Sequence, residues 1–158
     1  DIMKDSRIGS YGAVTLVLVV AFKLVLTALV VAMHGAAQAA LLVLAAHVLS
    51  RLAPLLIMRA LPYVGDADGS KSKPLADAVP RGGVLVGLVW SIPALALMVL
   101  ALGAFNTVAA ALLWALALLG MKRLLARRLQ GFTGDTLGAT QQACEVAMLL
   151  GAVLVWPA

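Results

Sequence analysis

Apolar residues in this chain do not alternate with polar ones; they run. Leu, Ala and Val dominate stretches near 13–33, 39–61, 84–104, 106–121 and 137–156, separated by shorter polar segments. About 20 helical residues cross a hydrocarbon core, and backbone in lipid must bond to itself, which admits only helices or closed barrels. Runs without period-2 alternation exclude the barrel and predict helices. The expected fold is all-α: a polytopic transmembrane helical bundle of about five spans, with residues 1–158 as a single integral membrane domain. The fourth run is the shortest, and no internal repeat is visible.

Composition agrees with a lipid-solvated chain. The sequence is 63% hydrophobic and 12% charged, with a mean hydropathy of +1.06, far from the balance of soluble domains. A net charge of +5 raises the question of nucleic acid, but the basic residues sit at the ends of apolar runs and no aromatic-interleaved basic patch exists. A membrane-surface role fits the charge better, so membrane lipid is an expected partner and nucleic acid is not. Cys144 is the only cysteine, which rules out an intrachain disulfide and a multi-cysteine metal site. The opening Asp1-Ile2-Met3-Lys4 has neither an initiator methionine nor a signal-peptide pattern, and reads as the middle of a longer polypeptide.

Charge also orients the bundle. With five alternating spans, Lys4, Arg7, Lys71, Lys73, Arg81, Lys122, Arg123, Arg127 and Arg128 fall on one side, with Arg59 close to it. The opposite connections, around His34 to Gln38 and Gly103 to Asn106, hold no Lys or Arg. That asymmetry marks the first side as cytoplasmic and predicts a multi-pass membrane protein that starts on the cytoplasmic side and ends on the exterior. Asp1, Asp5, Asp66, Asp68, Asp77 and Asp135 fall on the same side. The longest connection, Pro62 to Gly83, is rich in Gly, Pro, Ser and charge; it reads as a solvated loop or a lid, with a short helix around Leu75 to Val79.

Three segments carry candidate chemistry. In the opening stretch Asp1-Ile2-Met3-Lys4-Asp5-Ser6-Arg7-Ile8-Gly9, Asp1 and Asp5 share a face if helical. Paired carboxylates at a membrane surface suit Mg2+, a hard cation that often bridges phosphates, with Lys4 and Arg7 placed to bind the phosphate; an interfacial anchor is the competing reading. In the second run His47, Ser50, Arg51 and Pro54 recur at helical spacing. Arg51 lies deep enough to need a partner, either a ligand phosphate or carboxylate or an internal ion pair with Glu145, while Pro54 opens the backbone at Ser50. His47 reads as a satisfied interior histidine. Lys23 stands in the middle of the first run, equally open to functional and structural readings. The third segment, Gly131-Phe132-Thr133-Gly134-Asp135-Thr136-Leu137-Gly138, is a pliant turn in which Asp135 or Thr136 could cap the next helix. Beyond it, Gly138, Gln141, Gln142 and Glu145 form a small and polar stripe. Cys144, the methionines and Trp90, Trp114 and Trp156 fit packing or interfacial roles.

Met3-Lys4-Asp5-Ser6-Arg7-Ile8-Gly9, Gly131 to Ala139 and Glu145, with support from Lys23, Ser50-Arg51 and Leu61-Pro62-Tyr63, closely resemble the cobalamin synthase (adenosylcobinamide-GDP ribazoletransferase) family. The resemblance runs along the whole chain. It implies Mg2+-dependent joining of α-ribazole, or its 5′-phosphate, to adenosylcobinamide-GDP with release of GMP, a late step of vitamin B12 assembly. Members of that family carry an aspartate-rich segment upstream of the first motif, broadly like the metal motif of CDP-alcohol phosphotransferases, and this sequence lacks it. The resemblance implies Asp1 and Asp5 as metal ligands and Asp5, Arg7 and Arg51 as the catalytic set. Lys4, Ser6, Thr133, Gly134, Asp135, Thr136 and Glu145 are its substrate-binding candidates, with Glu145 either orienting Arg51 or contacting substrate. The rivals are another CDP-alcohol phosphotransferase-like enzyme and a transporter subunit; a homo-oligomer is compatible with either.

Overall fold

The computed structural model describes residues 9–65 and 81–154. Asp1, Lys4, Asp5, Ser6 and Arg7, the 66–80 loop with its expected short helix, and Trp156 lie outside the described residues. The described chain forms helices α1 (Ser10–His34), α2 (Ala36–Ser50), α3 (Leu52–Ala60), α4 (Arg81–Arg128) and α5 (Gly134–Leu154). Four helical stretches are long and apolar enough to cross a membrane, α2 and α3 counting as one of them. The stretch formed by α4 is 47 residues long, more than twice what one crossing requires.

Glycine resolves that excess. Gly103, inside α4, has φ 77 and ψ 164, and Gly35, between α1 and α2, has φ 84 and ψ 163. Both occupy a backbone region that is essentially closed to residues with a Cβ. At Gly35 the chain reverses in a single residue, its N–H closing α1 on the Val31 carbonyl at 2.9 Å while its own carbonyl accepts from Ala39 at 3.0 Å. At Gly103 the two arms of α4 fold back on each other, with Leu95 and Met98 of the first meeting Ala111 and Trp114 of the second around a shared apolar cavity of about 150 Å³. Each arm, at 1.5 Å per residue, is about 33 Å or longer. With its two arms counted separately, the described residues hold five helical segments long enough to cross a membrane.

At one end α1 and α5 begin, α3 stops, and α4 both starts and finishes; with Arg59, Lys122, Arg123, Arg127 and Arg128 exposed there, it is called the basic end below. Gly35, Gly103 and Leu154 define the far end. The second arm of α4 outruns the apolar stretch at 106–121 and stays helical to Arg128, because Lys122, Arg123, Leu124, Leu125 and Ala126 are all strong helix formers.

Packing is close because the contact residues are small. Ala39, Ala45, Ala46, Ala101, Ala110 and Ala152 are buried among Leu26, Val30, Leu42, Met98 and Leu149, the composition by which helices associate in lipid, where no hydrophobic driving force separates them from the tails. A Cβ on Gly151 would press on the backbone and Cβ of Ala110, so α5 and the second arm of α4 touch main chain to main chain there. Gly151→Leu is expected to cost about 1–3 kcal/mol by forcing those helices apart, read as a lower unfolding midpoint in mixed micelles. The outer surface is apolar: Leu18, Leu24, Leu100, Leu112 and Leu116 are all exposed. Helix α1 contributes only Leu26 and Val30 to the core and is the most peripheral element.

Candidate functional site at the basic end

Two sequence segments seventy residues apart are joined here. The Phe132 N–H donates to the Pro62 carbonyl at 2.9 Å, and the Val64 N–H donates to the Phe132 carbonyl at 3.0 Å, a single parallel bridge between Tyr63 and Phe132. The two rings meet edge to face at 5.6 Å and 69°, the arrangement favoured by aromatic quadrupoles. Phe132 is buried with Ile57 and Leu125 in a second, smaller core. Gly131 is required: a Cβ there would overlap the Pro62 carbonyl oxygen and the Val64 side chain. Gln130 turns the chain out of α4 with φ 57. The result is a strap that ties the exit of α3 to the entry of α5.

Immediately after the strap, α5 is capped reciprocally. The Thr133 N–H donates to Thr136 Oγ1 at 2.9 Å, and the Thr136 N–H donates to Thr133 Oγ1 at 3.4 Å. This is the logic of a capping box, with a threonine in place of the usual glutamate. Asp135 is exposed in the first helical turn, where its charge complements the helix dipole, and among the described residues it makes no hydrogen bond or ion pair. Capping is thus performed by the threonines, Thr133 as cap and Thr136 as its reciprocal partner. The N–H groups of Gly134 and Asp135 remain free among the described residues, as helix-start donors do when available to an anion. Arg59, Lys122, Arg123, Arg127 and Arg128 are exposed at the same end.

Glu145 lies elsewhere. It is 1% exposed, and its Oε1 sits 2.7 Å from Lys23 Nζ and 2.8 Å from His47 Nδ1. Both approaches are close but poorly directed for hydrogen bonding, and Oε2 has no hydrogen-bond partner among the described residues. Gln142 Oε1 accepts from Lys23 at 3.4 Å. Counting 1.5 Å per residue from the basic end, Lys23 and His47 lie about 20 Å along their helices and Glu145 about 16 Å along α5, so the cluster is close to mid-bundle. It joins α1, α2 and α5, the three helices that carry one member each.

Arg51 does not reach Glu145. Helix α2 stops at Ser50 and α3 starts at Leu52, with the Arg51 N–H bonded to Val48 at 3.2 Å. The His47 carbonyl, left without that amide, accepts instead from Arg51 Nη1 at 2.8 Å and Ser50 Oγ at 3.1 Å. Pro54 has no N–H for the Ser50 carbonyl, which explains why the break falls here. Of the two readings of Arg51, the internal pair with Glu145 is not formed, since Glu145 meets Lys23 and His47 instead; Arg51 is exposed at the break while Ser50 is buried. Of the site candidates within the described residues, Thr133, Gly134, Asp135 and Thr136 are together at the basic end; Arg51 and Glu145 are deeper and separate from them.

For a divalent cation the described residues do not suffice. Their carboxylates are Asp135 and Glu145, about 15 Å apart along α5, and among the described residues no group of three His, Cys, Asp or Glu could hold a metal ion. A magnesium site would need oxygen ligands beyond them.

The mid-bundle cluster carried a signal in the sequence: Lys23, His47 and Glu145 are ionisable residues inside three apolar runs, with Arg51 near His47 in the second. Such residues in lipid seek one another. The strap carried none beyond its glycine, because a single bridge leaves no periodicity.

A polytopic helical bundle with an arginine-rich end and a capped, glycine-containing turn beside it is a membrane-embedded protein with its polar chemistry on one face. The chain belongs to the cobalamin-5-phosphate synthase family, whose profile matches residues 1–153. Similar proteins named adenosylcobinamide-GDP ribazoletransferase include one from Albidiferax ferrireducens, 49% identical over 171 residues covering 95% of this chain and 58% of the relative. Another, from Polaromonas naphthalenivorans, is 47% identical over 162 residues, 96% of this chain and 58% of its own length. A third, from Shewanella pealeana, is 38% identical over 95% of this chain and 56% of the relative. The chain thus spans somewhat under three fifths of the length of these relatives. No solved structure matches it.

Proposed function

We propose that this chain takes part in joining α-ribazole, or its 5′-phosphate, to adenosylcobinamide-GDP. The observation that carries the reading is the similarity to ribazoletransferases, 45–49% identity over about 95% of the chain in three relatives. In the reaction a ribazole hydroxyl attacks the cobinamide-side phosphorus, the P–O bond to GMP breaks, and the hydroxyl proton is released as GMP leaves. Such transfers depend on positioning and charge stabilisation more than on covalent chemistry by the protein. The basic end offers both: free helix-start amides at Gly134 and Asp135, held in place by the Thr133–Thr136 cap, and at the same end the exposed Arg59 and Arg128, with no acidic partner among the described residues. Thr133, Gly134, Asp135 and Thr136 are assigned to substrate contact on that ground.

Arg7 and Arg51 are proposed to neutralise phosphate oxygens together with Lys4 and Ser6, and Asp1 and Asp5 to hold Mg2+. The orientation proposed is basic end inward in a bacterial cytoplasmic membrane, supported by the absence of Lys and Arg between His34 and Gln38 and between Gly103 and Asn106. Protein of the relatives' full length, in liposomes with magnesium, is expected to convert adenosylcobinamide-GDP and α-ribazole to cobalamin product and to ignore CDP-diacylglycerol. Asp5→Ala should abolish turnover, and undiminished activity in that variant would remove Asp5 from the metal site. Labelling of single cysteines at positions 135 and 36, in a Cys144→Ser background, tests the orientation: only the first should react from the cytoplasmic side.

A further inference from the structure

The outward face of the second α4 arm is organised along its length. At 100° per residue, Leu112, Leu116, Leu119, Arg123 and Arg127 fall within an arc of about 80°, directed opposite to the buried Ala110 and Leu125. Leu112 is 60%, Leu116 62% and Leu119 46% exposed. Above them Arg123, Arg127 and Arg128 surround Gly120 and Leu124 in a shallow depression of about 690 Å³, and no atom lies within 4 Å of where a Gly120 Cβ would be. None of these arginines has an ion-pair partner among the described residues. From Leu112 to Arg123 is about 16 Å along the axis, close to the hydrocarbon thickness of one leaflet, half of about 30 Å.

We propose that this face is a binding site for one anionic phospholipid, its acyl chains lying on Leu112, Leu116 and Leu119 and its phosphate held by Arg123 and Arg127 over the gap at Gly120. A soluble phosphate or nucleotide would use the arginines but has no use for the leucine track on the same face, and the match to leaflet depth selects a lipid. Arginine supplies a planar fork suited to phosphate oxygens, and glycine leaves the headgroup room to approach the helix. The site faces away from the strap and the α5 entry, so it is separate from the proposed transfer chemistry.

The protein reconstituted in nanodiscs of equal phosphatidylcholine and phosphatidylglycerol, then released into native mass spectrometry, is expected to retain a phosphatidylglycerol molecule preferentially. Arg123→Gln/Arg127→Gln should reduce that retention at least fivefold. Gly120→Leu should reduce it as well with every charge intact, and Lys122→Gln, off the stripe, should leave it unchanged; circular dichroism checks that each variant remains helical. Equal retention of the two lipids by the unmodified protein would overturn the proposal, as would full retention by the double arginine variant or an equal loss in Lys122→Gln. Displacement of the lipid by GDP at stoichiometric concentration would assign the arginines to a nucleotide instead. A photoreactive side chain at position 116 should give lipid adducts; crosslinks to polypeptide would mean that protein covers this face.

Discussion

Lys23→Met is expected to destabilise the bundle by about 3–5 kcal/mol, because it leaves a fully buried carboxylate without its cation. Among the described residues Glu145 Oε1 would retain only His47, and Oε2 already has no partner. The cost should come mainly from the orphaned charge rather than from the lost pair: ion pairs removed together in favour of apolar or neutral groups are often close to neutral. Lys23→Met/Glu145→Gln should therefore recover most of the stability lost in the single variant, a coupling visible in a double-mutant cycle. Glu145→Gln alone should cost less than Lys23→Met, since Lys23 is 26% exposed in its side chain and its long stem can carry the ammonium toward polar surroundings. Unfolding midpoints in detergent–SDS mixtures measure all three. A single-variant loss under about 1 kcal/mol, or a double variant as unstable as Lys23→Met, would show that the cluster does not pin α1 to α2 and α5.

The same cluster shows what the sequence makes legible and what it hides. Apolar runs and their charged ends specify helices and sidedness because lipid imposes a length and an internal hydrogen-bonding requirement on each crossing. They do not specify which helix faces which. Lys23, Arg51 and Glu145 each announce an interior polar partner, but the pairing of Glu145 with Arg51, one of the two readings open for Arg51, gives way to Lys23 and His47. The reason is local: Pro54 and the helix break leave the His47 carbonyl open, and Arg51 closes on it within its own segment. The single-residue reversals at Gly35 and Gly103 are hidden for a similar reason, since a glycine between apolar runs does not disclose the φ it adopts. At the basic end, the segment 131–138 is legible as a turn with a cap; of its two candidates Thr136 takes part, reciprocally with Thr133, which leaves Asp135 exposed and uncommitted among the described residues.

That uncommitted entry to α5 makes the strap the point where structure and activity should separate most clearly. Gly131→Val would drive a side chain into the Pro62 carbonyl oxygen and Val64, breaking the two backbone hydrogen bonds of the strap, worth about 0.5–1.5 kcal/mol each, and lifting Phe132 from Ile57 and Leu125. The five crossings do not depend on these contacts, so helicity should be unchanged. The Thr133–Thr136 cap would lose its anchor to α3, and misplacing a positioned group by about 1 Å can cost about a hundredfold in rate. In protein of the relatives' full length, Gly131→Val is expected to lower ribazole transfer at least tenfold, with faster amide exchange at Val64 and Phe132 as the structural readout. Gly138→Ala provides the contrast: nothing lies within 4 Å of the added methyl, and alanine in a helix is favoured over glycine by about 1 kcal/mol, so stability should hold or rise. Wild-type turnover in Gly131→Val, with exchange accelerated, would show that the strap secures the fold without positioning the α5 entry for catalysis.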